Sequence, residues 1–563
     1  MGICMCGSPS RATEPGPDAW LIRGSGSAAC ATRAVLDLLI RGGHVIDGTG
    51  NPWFAANVGV IGDRIAAVGR LDGEPAARTI DADGLYVCPG FVDMHTHSDL
   101  QLLANPAHEA KVHQGVTLEV LGQDGLSYAP VTDDVLEQLR GQLAGWNGDP
   151  PGFDWSWRTV GEYLDRLDGS IAVNAAYLVP HGTLRMCAMG VENRPPTAEE
   201  LEHMKHLLAD GVAQGAVGLS AGLTYTPGMY ADDAELVALC GVLRELGGFY
   251  CPHHRNYGLH ALEAYADCIE IARRAQVPLH LAHAHLGYEV NRGRAPELIS
   301  LIDRAREDGL DVTLDTYPYL AGATYLHAFL PSWMHEGGSA ATLDRLREPE
   351  LRERLRVEME EEGSDGFHEI PIEWDIVVIT GARQPGNRRW IGRSVADAAT
   401  EGGKRPIDLL CDLLLDENLG VSCVAHIGNE ENVRTIMTHA AHTAGSDGIL
   451  VGDKPHPRSY GTFPRYFAVY VRELELLTWE QMVRKMTSLP AQRLGFPDRG
   501  LLRPGMAADV VCFDPTAIRD TATYEDPRHL PEGIPYVIVN GHLVVDDGRR
   551  TDELPGRALR ART

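Results

Sequence analysis

Two histidines, His95 and His97, follow an apolar run that begins at Leu85. Side chains alternate between the two faces of an extended strand, so residues i and i+2 point the same way. Two imidazoles side by side at the end of a strand provide half of a metal site. An isolated His-x-His pair is as often structural, so the rest of the chain must decide between the two interpretations.

Further histidines and one aspartate follow other strand-like segments. His253 and His283 each come directly after such a segment, and Asp447 lies in the last one. One histidine among 23 means little by itself, but this order of strand ends favours a shared site. Four imidazoles and a carboxylate suit a borderline divalent cation, with zinc as the first candidate.

The centre of the chain alternates strand patterns with helical ones. Helical patterns at 198–214 and 261–275 separate some of the candidate strands. The eight candidate strands lie at 91–99, 116–120, 171–179, 216–220, 248–251, 278–282, 311–314 and 444–448. Eight alternating units predict an α/β fold, a (β/α)8 TIM-like barrel, in which chemistry gathers at the carboxyl ends of the strands. Such a barrel brings the candidate ligands to one rim.

Short β units without intervening helices occur at both ends of the chain. They fill 35–84 and 496–550, which predicts one small β-sandwich domain built from both termini. The barrel is then expected at 85–495, with a charge-rich helical insertion at about 331–411 before its last strand. A loop of this length within a barrel is usually functional, so the insertion is expected to cover the site. The expected tails are 1–34, disordered or mis-started, and 551–563.

Composition excludes several classes of protein. The 563 residues carry a formal net charge of -28, which repels phosphate backbones and anionic membranes, so we expect neither a nucleic-acid nor a membrane partner. No apolar run reaches the ~18–20 residues of a membrane span, and no secretory signal is evident. The eleven cysteines lack C-x-x-C pairs, which indicates reduced thiols. We therefore expect a cytoplasmic protein that acts on a small molecule.

With these residues in this order, the chain resembles the N-acyl-D-amino-acid deacylases (D-aminoacylases) of the amidohydrolase superfamily. The resemblance covers nearly everything from residue 36 to 546. The matching segments are 91–99, 115–130, 215–227, 250–255, 315–319, 321–324, 445–448, 456–465, 485–491 and 505–509. It implies metal-dependent hydrolysis of the acyl-amide bond of N-acyl-D-amino acids to a carboxylate and a D-amino acid. The D configuration comes from the resemblance alone.

The resemblance also implies a role for each candidate residue. His253 and His283 would bind a tightly held zinc, and His95 and His97 a second, weaker metal position. Asp447 would be the general acid/base, which takes a proton as metal-bound hydroxide attacks the acyl carbonyl and delivers it to the leaving amine. The residues implied in binding the substrate carboxylate are Tyr225, Arg458 and Tyr317.

One departure from the family pattern concerns a metal ligand. The family's Gly-Asn-Cys-Gly turn after the second strand supplies a cysteine, where this chain has Gly122-Gln123-Asp124-Gly125. Because carboxylate oxygen also binds zinc, at ~2.0–2.2 Å, we expect Asp124 to replace that cysteine as bridging or terminal ligand. The alternative is an Asx-turn residue. Cys251, two residues before His253, is a weaker substitute, and a carboxylate also admits manganese, cobalt or iron.

A second departure concerns the substrate. The family often has a lysine two residues after the second zinc histidine, near the substrate carboxylate, and this chain has His285. Histidine is shorter than lysine and largely neutral at pH 7. How the acid group is held, and whether the usual substrate fits, therefore depends on this position.

Other interpretations of the same residues are weighed against this one. Another amidohydrolase could act on a cyclic amide or an unusual acyl-peptide. Some relatives bridge two metals with a carbamylated lysine, but Lys111 and Lys205 fall in predicted helices rather than at strand ends. His181 and His426 either assist at the rim or are structural. A catalytically dead scaffold is disfavoured, because the four histidines and the aspartate are all retained.

Overall fold

The structure, a computed structural model, describes residues 35–561, so the predicted tail at 1–34 lies outside the described residues. Eight parallel strands form the centre of the fold, and their hydrogen-bonded order follows the order of the chain. Barrel strands 1 to 8 are Phe91–Asp93, Val116–Leu121, Asn174–Pro180, Gly218–Gly222, Phe249–His253, Leu279–Leu281, Val312–Thr316 and His442–Ala444. Strands 1 and 8 close the ring, because Met94 N donates to Ala444 O over 3.2 Å. The predicted barrel is confirmed.

Helices cover the outside of the barrel, so its strands are buried on both faces. Barrel strand 2 is buried along its whole length, as is usual for a parallel strand under helices. A capping box of Thr197 and Glu200 starts the helix Ala198–Ala213. The helices of this layer and those after barrel strand 8 are Asp133–Gln142, Val160–Leu167, His181–Met189, Ala198–Ala213, Asp233–Leu246, Ala261–Ala275, Ala295–Glu307, Glu430–Thr438, Arg458–Arg465, Trp479–Met486 and Ser488–Arg493. Over residues 35–561, no helix has the length and apolar character to cross a membrane.

A separate nine-stranded sheet is built from both ends of the chain. Its strands are Leu36–Val45, Phe54–Ile61, Arg64–Gly69, Ala76–Asp81, Tyr86–Pro89, Val510–Phe513, Tyr536–Val539, His542–Asp546 and Arg549–Arg550. The two ends meet where Val510–Phe513 pairs antiparallel with Tyr86–Pro89. The sheet therefore continues past the predicted boundary at residue 84, up to the glycine that precedes barrel strand 1.

The chain between barrel strands 7 and 8 forms a substructure with its own apolar core. Three of its longer helices lie in the predicted 331–411 insertion, and the fourth continues past it to Asp416. They are Gly338–Arg347, Pro349–Val357, Val395–Gly402 and Pro406–Asp416. An antiparallel sheet of Gly322–Tyr325, Ser422–Ala425 and Val377–Gly381 joins them. The sequence analysis did not predict this sheet, because its strands have only four or five residues and come from widely separated segments.

Residues 551–561 pack against the amino-terminal end of the barrel. Leu559 N donates to Ala175 O over 2.7 Å, and Ala561 N donates to Gly215 O over 2.9 Å. The segment that the sequence predicted as a tail is therefore attached by backbone hydrogen bonds up to the last described residue.

Candidate metal centre and active site

The predicted site residues lie together at the carboxyl end of the barrel. Two overlapping groups of possible metal ligands form there, and both contain Asp124. One group has His95, His97 and Asp447 as its other members, and the second has His253 and His283. The four predicted substrate-binding side chains surround these groups; they are Tyr225, His285, Tyr317 and Arg458. The structure thus brings all ten residues together, while the role of each stays a prediction.

Asp93, the last residue of barrel strand 1, ties together the two segments that carry His95 and Asp447. Asp93 Oδ1 accepts hydrogen bonds from the backbone N of His95, at 3.3 Å, and of Ser446, at 2.8 Å. Asp447 N in turn donates to His95 O over 2.8 Å. These contacts fix the ends of barrel strands 1 and 8 relative to each other, which sets the directions of the His95 and Asp447 side chains.

Asp124 lies in the turn after barrel strand 2. Its backbone φ is 54°, in the left-handed region that aspartate tolerates better than most residues. Asp99 holds the turn, because its Oδ1 accepts hydrogen bonds from Gly122 N at 2.8 Å and Ser127 Oγ at 2.6 Å. A Cβ at Gly222 would lie 1.9 Å from Asp124 O, so barrel strand 4 needs glycine there for the turn to approach.

The Asp124 carboxylate lies between two pairs of histidines. The Nε2 atoms of His95 and His97 are each 3.5 Å from one of its oxygens. On the other side, His253 Nδ1 is 3.4 Å from Oδ2 and His283 Nε2 is 3.3 Å from Oδ1. Two ligands that bind one tetrahedral ion at ~2.1 Å are roughly 3.4 Å apart, so this spacing fits metal coordination.

Unpartnered polar atoms at the centre of the site support the same interpretation. Both ring nitrogens of His95 and Oδ1 of Asp124 are buried and have no hydrogen-bond partner in the part of the chain that the structure describes. Leaving buried polar atoms unpaired costs free energy, which a bound cation would offset. Imidazole nitrogen and carboxylate oxygen are donors that zinc accepts. The residues present therefore fit one or two divalent ions, with Asp124 shared between the two positions.

In two histidines of the ligand groups, the ring nitrogen that faces away from Asp124 lies next to a hydroxyl group. His253 Nε2 lies 2.7 Å from Thr224 Oγ1, and His283 Nδ1 lies 2.8 Å from Tyr257 Oη. Metal-binding histidines usually have such partners, which fix the tautomer and the orientation of the ring. The sequence analysis missed both partners, although Thr224 directly precedes the predicted Tyr225.

Trp146 packs against His97, with ring centroids 4.5 Å apart, and is fully buried. The same indole contacts Tyr225 and Tyr325 at 4.9 and 5.0 Å between centroids. It therefore links the histidine of one metal group to the wall of the substrate cleft. No sequence signal points to Trp146, because an apolar residue in a short helix is usually a core residue.

Two carboxylates of the site are held in the ionised form. Burial alone would raise the pKa of Asp447, but the Arg458 guanidinium and the nearby histidines lower it below its usual range. Burial likewise opposes ionisation of Asp124, and His283, His95 and His253 lower its pKa well below the usual value. An ionised carboxylate at each position suits a metal ligand and a proton acceptor.

Arg458 is fully buried beside Asp447. Its Nη2 lies 2.9 Å from Asp447 Oδ2, and its guanidinium carbon lies 4.4 Å from the centre of the Tyr317 ring. Nε and Nη1 of Arg458 have no hydrogen-bond partner among residues 35–561. N–H groups left unpaired on a buried cation suit an anionic partner such as a carboxylate.

His285 and Tyr225 line the same cleft. His285 Nε2 lies 2.7 Å from Thr316 Oγ1, and its ring stacks on Tyr317 with centroids 4.2 Å apart. Burial lowers the pKa of His285 to about 3, so this position supplies a neutral ring where the family often has a lysine. Tyr225 Oη lies 3.2 Å from Thr324 Oγ1.

A cleft opens from the ligand groups to solvent. Its walls come from the barrel loops and from the chain between barrel strands 7 and 8. Gly366 and His368 of the predicted 331–411 insertion are among its lining residues. The insertion therefore forms part of the wall.

The weaker sequence candidates lie outside the two ligand groups. Cys251 Sγ donates to Gln123 Oε1 over 3.4 Å, so it does not take the place of the family cysteine. His181 Nε2 lies 2.7 Å from Glu235 Oε1, and the ring of His426 contacts that of Tyr524 with centroids 5.0 Å apart. Neither histidine belongs to a ligand group.

The two lysines considered for a carbamylated bridge also lie elsewhere. Lys111, in the short helix Glu109–Val112, directs its Nζ to Asp93 at 2.6 Å and to Glu119 at 3.0 Å. Lys205 lies in the helix Ala198–Ala213 and pairs with Glu202. Neither belongs to a ligand group, so Asp124 is the carboxylate available between the two metal positions.

Comparison with known proteins places the chain in a family. The model of a family described as "Amidohydrolase family" matches residues 78–545. The N-acyl-D-glutamate deacylase of Alcaligenes xylosoxydans xylosoxydans is 37% identical over 527 residues, which cover 93% of this chain and 96% of that protein. The chain belongs to the N-acyl-D-amino-acid deacylase family of amidohydrolases. The resemblance seen in the sequence is confirmed.

Two solved structures of this deacylase family match nearly the whole chain. A D-aminoacylase, studied for the role of its binuclear metal centre, is 34% identical, covers 93% of this chain and 100% of its own, and has a TM-score of 0.78. The N-acyl-D-glutamate deacylase from Bordetella bronchiseptica is 35% identical with coverages of 94% and 100% and a TM-score of 0.78. That enzyme is complexed with zinc and a phosphonate inhibitor that mimics the tetrahedral intermediate.

Proposed function

We propose that this chain is a metal-dependent hydrolase that cleaves the acyl-amide bond of N-acyl-D-amino acids, giving a carboxylate and a D-amino acid. The observation that carries the proposal is the Asp124 carboxylate, which lies 3.3–3.5 Å from four histidine rings beside Asp447. The relatives supply the substrate class, since they are deacylases of N-acyl-D-amino acids. The D configuration rests on those relatives.

Zinc is the metal that the donor atoms and the zinc-bound relative favour. His253 and His283 would hold the tight ion together with Asp124, and His95 and His97 would hold the weaker one. When bound, the metal lowers the pKa of water from ~15.7 to ~7 and polarises the acyl carbonyl.

Asp447 is the residue placed to move the proton. Its Oδ1 lies 3.2 Å from His97 Nε2, so the carboxylate stands at the edge of the ligand groups and faces the cleft. Arg458 favours the ionised form, which can accept a proton from the attacking water. Returning that proton to the nitrogen of the departing amine completes the cycle, because an unprotonated amine is a poor leaving group.

Arg458 is proposed to hold the α-carboxylate of the substrate. The hydrogen bonds would come from its unpartnered Nε and Nη1. The guanidinium packs on the ring of Tyr317, which helps to fix its position. Tyr225, on the wall of the cleft, is proposed to assist through its hydroxyl group. Since Arg458 also contacts Asp447, a bound carboxylate would lie next to the proton-transfer group, which positions the neighbouring amide for attack.

The rival activities have weaker support. A cyclic-amide hydrolase would be expected to use a bridging lysine, and neither Lys111 nor Lys205 lies in a ligand group. An inactive scaffold would not need the ordered ligand set that the barrel retains. An unusual acyl-peptide remains compatible with the same chemistry, because it presents the same amide.

The test is a hydrolysis screen of zinc-loaded protein. N-acetyl-D-amino acids with varied side chains are compared with hydantoin and dihydrouracil, and the released amine is measured. We expect turnover of linear N-acetyl-D-amino acids and none of the cyclic amides. Turnover of the cyclic amides alone would reject the proposal in favour of the first rival, and turnover of neither class would reject it outright.

A further inference from the structure

The wall of the cleft carries no cationic side chain. None of the described residues that line it is a lysine or an arginine, and its ionised groups are the carboxylates of Asp124 and Asp447. The guanidinium of Arg458 contacts Asp447 and Tyr317, two of the side chains that line the cleft. A negative charge on the substrate side chain would therefore meet no lysine or arginine along the lining.

Away from Arg458, the cleft is walled by rings. Tyr257, Tyr288 and Phe329 line it and are each at least nine-tenths buried. His368 contacts Tyr257 and Tyr288 with centroids 5.4 and 6.0 Å apart. Burial lowers the pKa of His368 to about 3, so this ring is also neutral. Toward the mouth, the half-exposed Leu320 continues the apolar surface.

Arg458 has few N–H groups left with which to bind an anion. Its Nη2 lies beside Asp447 Oδ2, and Nε and Nη1 have no hydrogen-bond partner among the described residues. The N–H groups of these two nitrogens are needed for the carboxylate that every substrate of the proposed reaction has on its α-carbon. The position where the family often has a lysine holds His285, whose Nε2 is hydrogen-bonded to Thr316 Oγ1.

We propose that this cleft selects N-acyl-D-amino acids whose side chains are neutral and apolar, and that it rejects N-acyl-D-glutamate and N-acyl-D-aspartate. The inference rests on the proposed deacylase function and specifies its substrate class. A carboxylate on the substrate side chain would be transferred from water to an aromatic wall that has no lysine or arginine to pair with it. A buried unpaired charge is strongly unfavourable. An aliphatic or aromatic side chain gains by the same transfer.

The 37% sequence identity to an N-acyl-D-glutamate deacylase does not decide whether this cleft accepts a charged side chain. Overall identity reflects the barrel and its ligands, whereas the charge preference depends on the few side chains that line the cleft. In this chain the lining includes tyrosine, phenylalanine, histidine, leucine, isoleucine, threonine, alanine and glycine, and its acidic side chains are Asp124 and Asp447.

The test compares kcat/KM for four N-acetyl-D-amino acids on zinc-loaded protein: leucine, phenylalanine, glutamine and glutamate. We expect leucine and phenylalanine to exceed glutamate by at least about 100-fold, a ratio that corresponds to about 2.8 kcal/mol. Glutamine, which has the shape of glutamate without its charge, should exceed glutamate by at least about tenfold. A glutamate value equal to or above that of leucine would overturn the inference.

A second measurement separates this inference from the proposed function. Competition binding of N-acetyl-D-leucine and N-acetyl-D-glutamate is measured on the same protein. Absence of any turnover, with leucine still bound at least about tenfold more tightly, would reject the deacylase function but support the charge preference. Absence of turnover with equal or inverted affinities would reject both.

A matched pair of variants tests the cause. Ala328 lines the cleft, and Ala328→Lys adds a cation on an unbranched side chain, for which the unbranched, slightly shorter Ala328→Met is the neutral control. We expect Ala328→Lys to raise the glutamate-to-leucine ratio of kcat/KM at least about tenfold above that of Ala328→Met. Equal ratios in the two variants would show that charge does not set the preference.

Discussion

Arg458 and Asp447 form a buried ion pair, with Nη2 of the guanidinium 2.9 Å from Oδ2 of the carboxylate. One cation thus has two partners: the proposed proton-transfer group, and the substrate carboxylate that its remaining N–H groups are free to bind. Binding and proton transfer are therefore coupled at this pair. Asp447 Oδ1 faces His97 Nε2 and its Oδ2 faces Arg458, so this carboxylate connects one of the possible metal-ligand groups to the guanidinium.

Replacing Arg458 tests this coupling. Arg458→Met should raise KM for N-acetyl-D-leucine about 10- to 100-fold, because it removes a charge-assisted contact to the α-carboxylate. It should also lower kcat, since Asp447 loses the cation that favours its ionised form. The control is Arg465→Met in the same helix, where the guanidinium pairs with Asp520 outside the cleft. Unchanged KM in Arg458→Met would remove Arg458 from substrate binding.

Asp447→Asn should fold and retain metal but lose proton transfer. The amide keeps the shape of the carboxylate and cannot accept the proton, so kcat should fall by about 10²–10⁴-fold. Elemental analysis of the same preparation gives the metal content, which should stay close to that of the parent protein. Near-full turnover in this variant would exclude Asp447 as the acid/base.

Asp124 is tested by removing and by exchanging its donor atoms. Asp124→Ala should lower metal affinity by more than about 100-fold, beyond the usual effect of losing an outer partner of a ligand. Asp124→Cys restores the ligand type of the family and should recover most of the metal content. Titration with zinc and a competing chelator measures both. If Asp124→Ala binds zinc like the parent protein, Asp124 is only a turn residue.

A cluster of buried charged side chains around Glu119 predicts that the stability of the fold depends on pH. Glu119 Oε2 lies 2.8 Å from His108 Nε2 and Oε1 lies 3.0 Å from Lys111 Nζ. Burial opposes its ionisation, but His108 and Lys111 lower the pKa of Glu119 to about 2. A carboxyl whose pKa is lower in the folded state stabilises the fold above its unfolded value of ~4.3 and loses that contribution as the pH falls towards 2.

Glu119→Gln should therefore lower the free energy of unfolding by about 1–3 kcal/mol at pH 7, because it removes one of the two carboxylates that pair with the buried Lys111. The difference from the parent protein should shrink as the pH falls from about 4 to 2. Urea unfolding at several pH values measures both effects. Glu270→Gln, at an exposed pair with Arg273, is the control and should change stability by less than about 1 kcal/mol. A constant difference at all pH values would contradict the assignment.

The barrel and the ligand order were predictable because both depend on local pattern. Each barrel strand is a short apolar run, and parallel strands carry their polar residues at one end. His95 and Asp447 could therefore be placed at one rim although the whole barrel separates them in sequence. The family resemblance supplied the substrate class, which no single residue encodes.

Several features of the site depend on tertiary contacts and could not be predicted from the sequence. Thr224 and Tyr257 matter because their hydroxyls meet ligand nitrogens, and Trp146 because its indole covers His97. Cys251 shares a strand with His253, yet its sulfur is directed to Gln123. Such pairings depend on how strands and turns pack, and hydrophobic periodicity carries no information about them.

The most direct test of the account is the hydrolysis of N-acetyl-D-leucine and its L enantiomer by chelator-stripped protein, before and after zinc is added back. We predict no measurable hydrolysis before zinc. After about one equivalent of zinc, we predict a kcat/KM at least about 100-fold higher for the D enantiomer. Equal rates with and without metal, or a preference for the L enantiomer, would contradict the account.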